Sequence, residues 1–136
     1  MTTHSAELIV DSSKIISNIS HLKSLISSDS KFMFIVKSNA YGHGLKEIIK
    51  NLESYVDAFG VVRMEEAILV RKSTSKPILL MQGIYTEHEI NIARKNNIQV
   101  VIHKMSQFKF IGKDDNELGL WAVSYTHLTL PTRYRV

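Results

Sequence analysis

Five short apolar runs, rich in β-branched residues, recur along this chain of 136 residues and limit the folds open to it. Each run is largely unalternated, which is typical of strands that are buried on both faces of a sheet. The runs are AELIV at 6–10, FMFIV at 32–36, AFGVV at 58–62, ILLM at 78–81 and QVVI at 99–102.

Helical patterns lie between the runs. Asp11 or Ser12 can cap the first helix, and Glu65 and Glu66 suit the positive end of the dipole in the first turn of the third. Thr86 to Glu89 has the spacing of a capping box for a fourth. The four helices are expected over 15–26, over 45–52, from Met64 to Lys72 and after Thr86.

Strands that alternate with helices at roughly 20 to 26 residues per unit predict βαβ crossovers and a parallel sheet. Two α/β architectures fit this rhythm: an open doubly wound sheet, or part of a (β/α)8 barrel of the TIM-barrel type. A complete barrel takes about 250 residues, so this chain supplies only about the first half of one.

Composition excludes several classes of function. The 17 basic and 13 acidic residues are scattered, without the clustered basic face that nucleic acid requires, so no nucleic-acid partner is expected. The chain has no cysteine, no signal-peptide pattern and no apolar run of membrane-spanning length, so a cytoplasmic protein is expected. The histidines and carboxylates show no metal-ligand spacing, and no metal site is predicted.

Lys37 follows the second apolar run, where the strand should emerge at the catalytic end of a parallel sheet. An amine at this boundary is partly desolvated, which favours the neutral form that attacks a carbonyl group to make a Schiff base, as pyridoxal phosphate chemistry needs. Gly42 and Gly44 would allow the backbone to approach a ligand closely, and Tyr41 could donate its hydroxyl to a phosphate oxygen. The alternative is a solvated lysine followed by a turn.

Two histidines lie near the same predicted edge. His43, between the two glycines, is interpreted mainly as a residue that shapes the turn. His103 follows the last apolar run, and a lone histidine there is more often a hydrogen-bonded structural residue than a catalytic one. Glu65 and Glu66 are adjacent on a helix and do not face each other, so they are interpreted as a charged first turn rather than as paired catalytic carboxylates.

The run VKSNAYGHG at 36–44 closely resembles the pyridoxal-phosphate lysine motif of alanine racemases, which usually has alanine where this chain has Ser38. Further likeness to that family is carried by AELIVDSSKIISNI, AFGVVRMEEAILVRK, PILLMQGIY and, less tightly, IQVVIHKMSQF. The resemblance covers about residues 6–108 and extends weakly to Trp121.

The resemblance implies a barrel domain that binds pyridoxal 5'-phosphate through Lys37, with Tyr41 contacting the phosphate. It implies an isomerase that interconverts L-alanine and D-alanine and supplies D-alanine for peptidoglycan, with Lys37 acting as acid and base on one face of the substrate. In the family the second base is a tyrosine from a C-terminal β-domain of the partner subunit of a homodimer. No residue of this chain matches that position, so the fragment is expected to be inactive alone.

Two alternatives to an alanine racemase stay open. One is a racemase of another small amino acid such as serine, because the residues that select the substrate side chain are expected outside this sequence. The other is a non-catalytic, single-domain barrel protein that binds pyridoxal phosphate. Proteins of that type lack the YGHG continuation after the lysine, which argues against it.

After Trp121 the sequence AVSYTHLTLPTRYRV departs from the family, and Val123 stands where the family has a lysine. We therefore divide the chain into residues 1–121, the N-terminal part of the barrel domain, and residues 122–136, a non-native tail produced by read-through.

Overall fold

The computed structural model describes residues 7–111 and 118–123, and within them five strands form one sheet. Every neighbouring pair is parallel. The strands are β1 (Met33–Ile35), β2 (Ala58–Val61), β3 (Ile78–Leu80), β4 (Ile98–Ile102) and β5 (Leu120–Ala122). The predicted α/β class with a parallel sheet is therefore confirmed.

The strand order distinguishes the two predicted architectures. Each strand lies beside the next one in the chain, in the order β1-β2-β3-β4-β5. A doubly wound sheet reverses its order at a switch point, whereas a barrel adds every new strand next to the preceding one. The observed order is therefore that of a (β/α)8 barrel segment, and the described strands supply about half of such a barrel.

The four predicted helices are confirmed, one before β1 and one in each connection from β1 to β4. Asp11 begins the first helix by accepting hydrogen bonds from the backbone of Ser13 (3.0 Å) and Lys14 (3.3 Å). Thr86 and Glu89 form the predicted capping box. The helical segments are α1 (Ser12–Ser24), α2 (Lys37–Tyr41), α3 (Leu45–Leu52), α4 (Met64–Arg71) and α5 (Glu87–Lys95), with short 3-10 turns at Glu53–Tyr55 and Met105–Phe110. Of these, α2 is a left-handed turn and not a regular α-helix.

The core lies between the sheet and these helices. Phe59, Ile78 and Ile98 of the central strands are buried with Ala67 of α4 and Ile90 of α5. Every residue of β3 is buried, and β2 and β4 each have a single half-buried residue, which confirms that these strands are covered on both faces. The edge strands β1 and β5 are less buried.

Two strand predictions differ from the structure. The predicted strand at 6–10 is wrong over its described part: residues 7–10 form no strand, and Leu8 and Ile9 are exposed. A strand requires a neighbour for its backbone hydrogen bonds, and none of the described residues provides one there. Conversely, β5 was not predicted, because a strand of three exposed residues has no distinctive apolar pattern.

The proposed domain boundary between residues 121 and 122 falls within β5. Ala122 pairs with Ile102, and the Val123 N–H donates to the Ile102 carbonyl at 3.1 Å. Residues 124–136 lie outside the described residues. The division into a native part and a tail stays a prediction.

Candidate functional site

The carboxyl ends of the parallel strands meet at one edge of the sheet, which we call the carboxyl edge. Lys37 lies there, directly after the fully buried Val36 at the end of β1. Gln82 and His103 follow the ends of β3 and β4 at the same edge. The Lys37 side chain is half-buried, so it lies at the boundary between the core and solvent. This is the edge at which barrel enzymes carry their active sites.

The backbone after Lys37 makes a left-handed turn. Residues 38–41 have φ values of 53°, 54°, 54° and 55°, and none of them is a glycine. A left-handed conformation costs most L-residues roughly 1–2 kcal/mol and asparagine less, so residues 38, 40 and 41 together cost on the order of 3–6 kcal/mol. Surrounding contacts must offset that cost, and strain of this kind concentrates at functional sites.

Several hydrogen bonds hold the turn. The Ala40 N–H donates to the Val36 carbonyl at 3.0 Å, and the Asn39 side-chain carbonyl accepts from the Leu45 N–H at 2.8 Å. His43 donates to the Ala40 carbonyl from its backbone N–H at 3.0 Å and from ring Nδ1 at 2.8 Å. This geometry supports the interpretation of His43 as a residue that shapes the turn.

Gly42 and Gly44 are required by their backbone conformation. Their φ values are 86° and 95°, in the left-handed region that favours glycine. A Cβ atom added at either position would meet nothing within 4 Å, so packing alone would admit a larger residue. The backbone conformation of the turn is therefore sufficient to explain why glycine stands at both positions. The close approach of a ligand stays a prediction.

The turn brings Lys37 and Tyr41 together. The Lys37 Nζ atom lies 5.8 Å from the centroid of the Tyr41 ring, within the range of a cation–π contact. Tyr41 is 59% exposed, so the ring is open to a ligand from solvent. An amine that can bond to a carbonyl carbon and a phenol that can donate to a phosphate oxygen therefore stand side by side. These two groups fit pyridoxal phosphate, which carries both a carbonyl and a phosphate.

Glu66 is the residue at this edge whose role the sequence did not predict. One carboxylate oxygen accepts from the Ser38 N–H at 2.5 Å, and the other accepts from the N–H groups of Val62 (3.3 Å) and Arg63 (3.2 Å). The side chain thus reaches the ends of both β1 and β2, beyond its expected interaction with the helix dipole. Ser38 is 28 residues away in sequence, so no local pattern could have indicated the contact.

His103 belongs to a separate network at the ends of β3 and β4. Its ring Nε2 donates to the Met81 carbonyl at 2.9 Å, and its backbone N–H donates to the Gln107 side chain at 2.7 Å. The buried Gln107 also donates to the Ile84 carbonyl at 2.8 Å. This network supports the structural interpretation of His103. It adjoins a cavity of about 650 Å³ whose lining includes Tyr85 and Lys104 but not Lys37.

Within the described residues, no group of three or more histidine, cysteine, aspartate or glutamate side chains could hold a metal ion. No helix in that part of the chain is long and apolar enough to cross a membrane.

Comparison with known proteins identifies the family. Residues 10–119 match the family model described as alanine racemase, N-terminal domain. The chain belongs to the alanine racemase family. The alanine racemase of Actinobacillus succinogenes is 42% identical over 96 residues, which are 68% of this chain and 27% of that protein. The chain thus spans about a quarter of that relative's length, and the matched family model is that of the N-terminal domain.

Solved alanine racemases share the fold. The structure of the Acinetobacter baumannii enzyme matches with a TM-score of 0.74 and 31% identity, and the match covers 82% of this chain and 33% of that one. The Bartonella henselae alanine racemase, described with covalently bound pyridoxal phosphate, matches with a TM-score of 0.66 at 23% identity, covering 74% of this chain and 28% of that one, and supports the fold alone. The predicted TIM-barrel type is confirmed, as a portion of the barrel domain.

Proposed function

We propose that this chain is the cofactor-binding part of an alanine racemase, in which Lys37 binds pyridoxal 5'-phosphate and Tyr41 contacts its phosphate. One observation carries the proposal: the Lys37 amine stands at the end of β1, directly before a strained left-handed turn and 5.8 Å from the centroid of the Tyr41 ring. The family is pyridoxal-phosphate-dependent in general, and the motif around Lys37 resembles its cofactor-binding motif.

When bound, pyridoxal phosphate makes the α-proton of an amino acid acidic by delocalising the charge of the carbanion. Lys37 would hold the cofactor through its side-chain amine, and the same amine would accept or return the α-proton on one face of the substrate. Tyr41 would contact the phosphate and so limit the positions that the cofactor can take beside Lys37.

Inversion at Cα needs a second base on the opposite face. We assign that role to a tyrosine of a C-terminal β-domain of the partner subunit, outside this sequence, and expect a homodimer for the complete enzyme. The chain alone should bind the cofactor without racemising efficiently. We further propose alanine as the substrate, a cytoplasmic location and a supply of D-alanine to peptidoglycan as the role of the complete enzyme.

An absorbance titration of the complete 136-residue chain with pyridoxal phosphate tests cofactor binding. We expect a visible band that saturates near one equivalent, becomes resistant to dialysis after borohydride reduction and disappears in Lys37→Ala. Lys46→Ala, which removes an exposed lysine of α3, is the matched control and should behave like the wild type. A folded wild-type chain without the band, or a band that Lys37→Ala retains, would refute the proposal.

The type of enzyme is tested by exchange of the substrate α-proton in D2O, followed by NMR. The loaded chain should exchange the α-proton of L-alanine faster than free cofactor does, and faster than that of L-serine. Preference for serine would favour the alternative racemase. Equal exchange by the chain and by free cofactor, despite a normal absorbance band, would favour a non-catalytic carrier.

A further inference from the structure

Glu66, at the third position of α4, makes one contact more than an acid in a capping box does: it also accepts from the Ser38 N–H. Its carboxylate spans the ends of two neighbouring strands, with one oxygen on the Ser38 N–H and the other on the N–H groups of Val62 and Arg63. We propose that Glu66 is a positioning residue for Lys37. The inference rests on the proposed role of Lys37 as the cofactor-binding amine.

The contact acts directly on the backbone of the lysine. The Ser38 nitrogen belongs to the peptide group that begins at the Lys37 carbonyl, and that peptide is planar, so fixing the Ser38 N–H fixes the Lys37 Cα on its carboxyl side. On the amino side, the Val36 N–H donates to the Gly60 carbonyl of β2 at 2.8 Å. Lys37 is therefore held on both sides by bonds that lead to β2 or to the residues that follow it.

The second carboxylate oxygen of Glu66 attaches the side chain to the end of β2. Because it binds the N–H groups of Val62 and Arg63, the carboxylate itself is held by the backbone at the end of β2. Hydrogen bonds to a charged acceptor are roughly twice as strong as bonds between neutral groups. A carboxylate with donors on both oxygens is consequently a rigid bridge between two strand ends rather than a mobile surface charge.

The strained turn makes such a bridge necessary. The left-handed stretch begins at Ser38, whose N–H is the donor to Glu66. Without the bridge, the backbone at this point can relax towards a right-handed or extended conformation, which costs less for an L-residue. That relaxation would rotate the Lys37 side chain away from Tyr41 and from a ligand bound between them.

Glu65 provides a matched control. It carries the same charge in the same first turn of α4 and interacts equally with the helix dipole, but its side chain is exposed. Replacing either acid by glutamine removes one negative charge from the helix N-terminus. Only Glu66→Gln also removes an acceptor from one of the two strand ends, because an amide has one oxygen where the carboxylate has two.

The first readout needs no cofactor. We would measure backbone hydrogen exchange of residues 37–44 by mass spectrometry in the complete chain, for the wild type, Glu66→Gln and Glu65→Gln. We expect exchange about tenfold faster in Glu66→Gln, from the loss of a hydrogen bond to a charged acceptor, and wild-type exchange in Glu65→Gln. Residues 78–80 of β3 should be unchanged in all three proteins.

The second readout is the spectroscopic signature of the bound cofactor. Glu66→Gln should bind pyridoxal phosphate about tenfold more weakly, with less borohydride-trapped adduct at Lys37, while Glu65→Gln should match the wild type. If the wild type itself forms no adduct at Lys37, the proposed function fails and hydrogen exchange still tests the bridge. If both readouts of Glu66→Gln equal those of Glu65→Gln in a chain that forms the adduct, the positioning role is wrong.

A second variant covers the case in which Glu66→Gln does not fold. Glu66→Asp keeps the negative charge but is one methylene shorter and cannot span both strand ends. Residues 37–44 should then exchange faster than in the wild type and in Glu65→Asp, by about threefold or more. Unchanged exchange in a folded Glu66→Asp would overturn the inference.

Discussion

The two ends of α4 bind the backbone of the sheet through side chains of opposite charge. In the first turn, Glu66 accepts from three backbone N–H groups beside the site. In the last turn, Arg71 donates to four backbone carbonyls at the opposite edge, those of Thr74, Lys76, Asn96 and Asn97, at 2.8 to 3.1 Å. One helix thus fastens both edges of the sheet.

The polarity of the fold explains the signs. Helices of a βα unit run antiparallel to the strands. They begin at the carboxyl edge and end at the opposite edge, the amino edge, where the strands begin. The first turn of a helix leaves N–H groups unpaired at the carboxyl edge, and its last turn leaves carbonyl groups unpaired at the amino edge. An acidic side chain can therefore accept from the N–H groups at the carboxyl edge, and a basic side chain can donate to the carbonyls at the amino edge. Burial lowers the pKa of the Arg71 guanidinium, but arginine remains charged and able to donate.

The difference lies in what each charge holds. Glu66 holds the peptide next to Lys37, whereas Arg71 holds the loops that precede β3 and β4, far along the strands from that lysine. We therefore expect the acid to affect the site and the base to affect mainly stability. Replacing Arg71 tests this separation directly, and variants of Gly83, Asn39 and Asp57 compare the two edges further.

Arg71→Met should cause the largest loss of stability, about 3 kcal/mol, because it leaves partly buried carbonyl groups without donors. Urea unfolding measures this loss, and Lys72→Met, at an exposed neighbouring position, should change stability little. In the folded fraction, trapping of pyridoxal phosphate at Lys37 should be unaffected. Impaired trapping, to the extent expected for Glu66→Gln, would break the proposed separation of the two edges.

Gly83→Ala should destabilise the carboxyl edge by about 2 kcal/mol. Gly83 has a φ of 77°, and a Cβ atom added there would lie 2.4 Å from the Val101 carbonyl oxygen and 2.9 Å from the Gln107 amide. Gly42→Ala has a similar φ of 86° but open space around it, so it should cost only about 1 kcal/mol. Thermal unfolding of both variants compares the two costs. Equal losses would show that packing around Gly83 contributes nothing.

Asn39→Ala should cost about 1–2 kcal/mol, since it removes the side-chain bond to the Leu45 N–H and places alanine at a φ of 54°. Asn39→Gly removes the same bond but tolerates the conformation, so it should cost less. The difference between the two variants in chemical unfolding isolates the strain of the turn. A glycine variant as unstable as the alanine variant would contradict the strain argument.

Asp57 at the amino edge should give a small effect that depends on pH. The Asp57 carboxylate accepts a hydrogen bond from the Phe32 N–H at 2.8 Å, and this bond is the main reason that the pKa of the carboxyl lies below its usual value. The positive charge of the nearby Lys23 lowers the pKa further. The carboxylate therefore contributes stability above the ordinary carboxyl pKa of about 4, and that stability is lost as the pH falls through the lowered value.

The urea midpoint of Asp57→Asn should consequently lie below that of the wild type at pH 7 and approach it at about pH 3, below the ordinary carboxyl pKa. Asp29→Asn, at an exposed position, should follow the wild type at both values. A constant difference between Asp57→Asn and the wild type across this range would show that the carboxyl charge is not responsible.

The sequence predicted those features that depend on local pattern. The strand at 58–62 and the capping box from Thr86 to Glu89 were visible as an apolar run and a capping signature, and the structure confirms both. Lys37 and Tyr41 were predicted as cofactor-binding residues through the likeness of their motif; the Lys37 Nζ atom lies 5.8 Å from the centroid of the Tyr41 ring, and their roles stay a prediction.

Features that depend on distant partners were missed or wrong. The run at 6–10 has strand composition, but residues 7–10 lack a neighbouring strand within the described part of the chain. In the sequence, Glu66 could not be distinguished from any other acid in a first helical turn, because its contact with the Ser38 N–H exists only in the folded chain. The left-handed turn was equally hidden, because four consecutive left-handed residues other than glycine oppose local preference and depend on the contacts around them.

Peptide mapping by mass spectrometry tests the central claim most directly. The complete chain would be mixed with one equivalent of pyridoxal phosphate, reduced with borohydride and digested, and the modified lysine identified. The geometry at the end of β1 predicts that the modification lies on Lys37 in clear excess over the exposed lysines. Modification spread over the lysines according to their exposure, or concentrated on Lys104 and Lys109 at the cavity next to His103, would contradict the account.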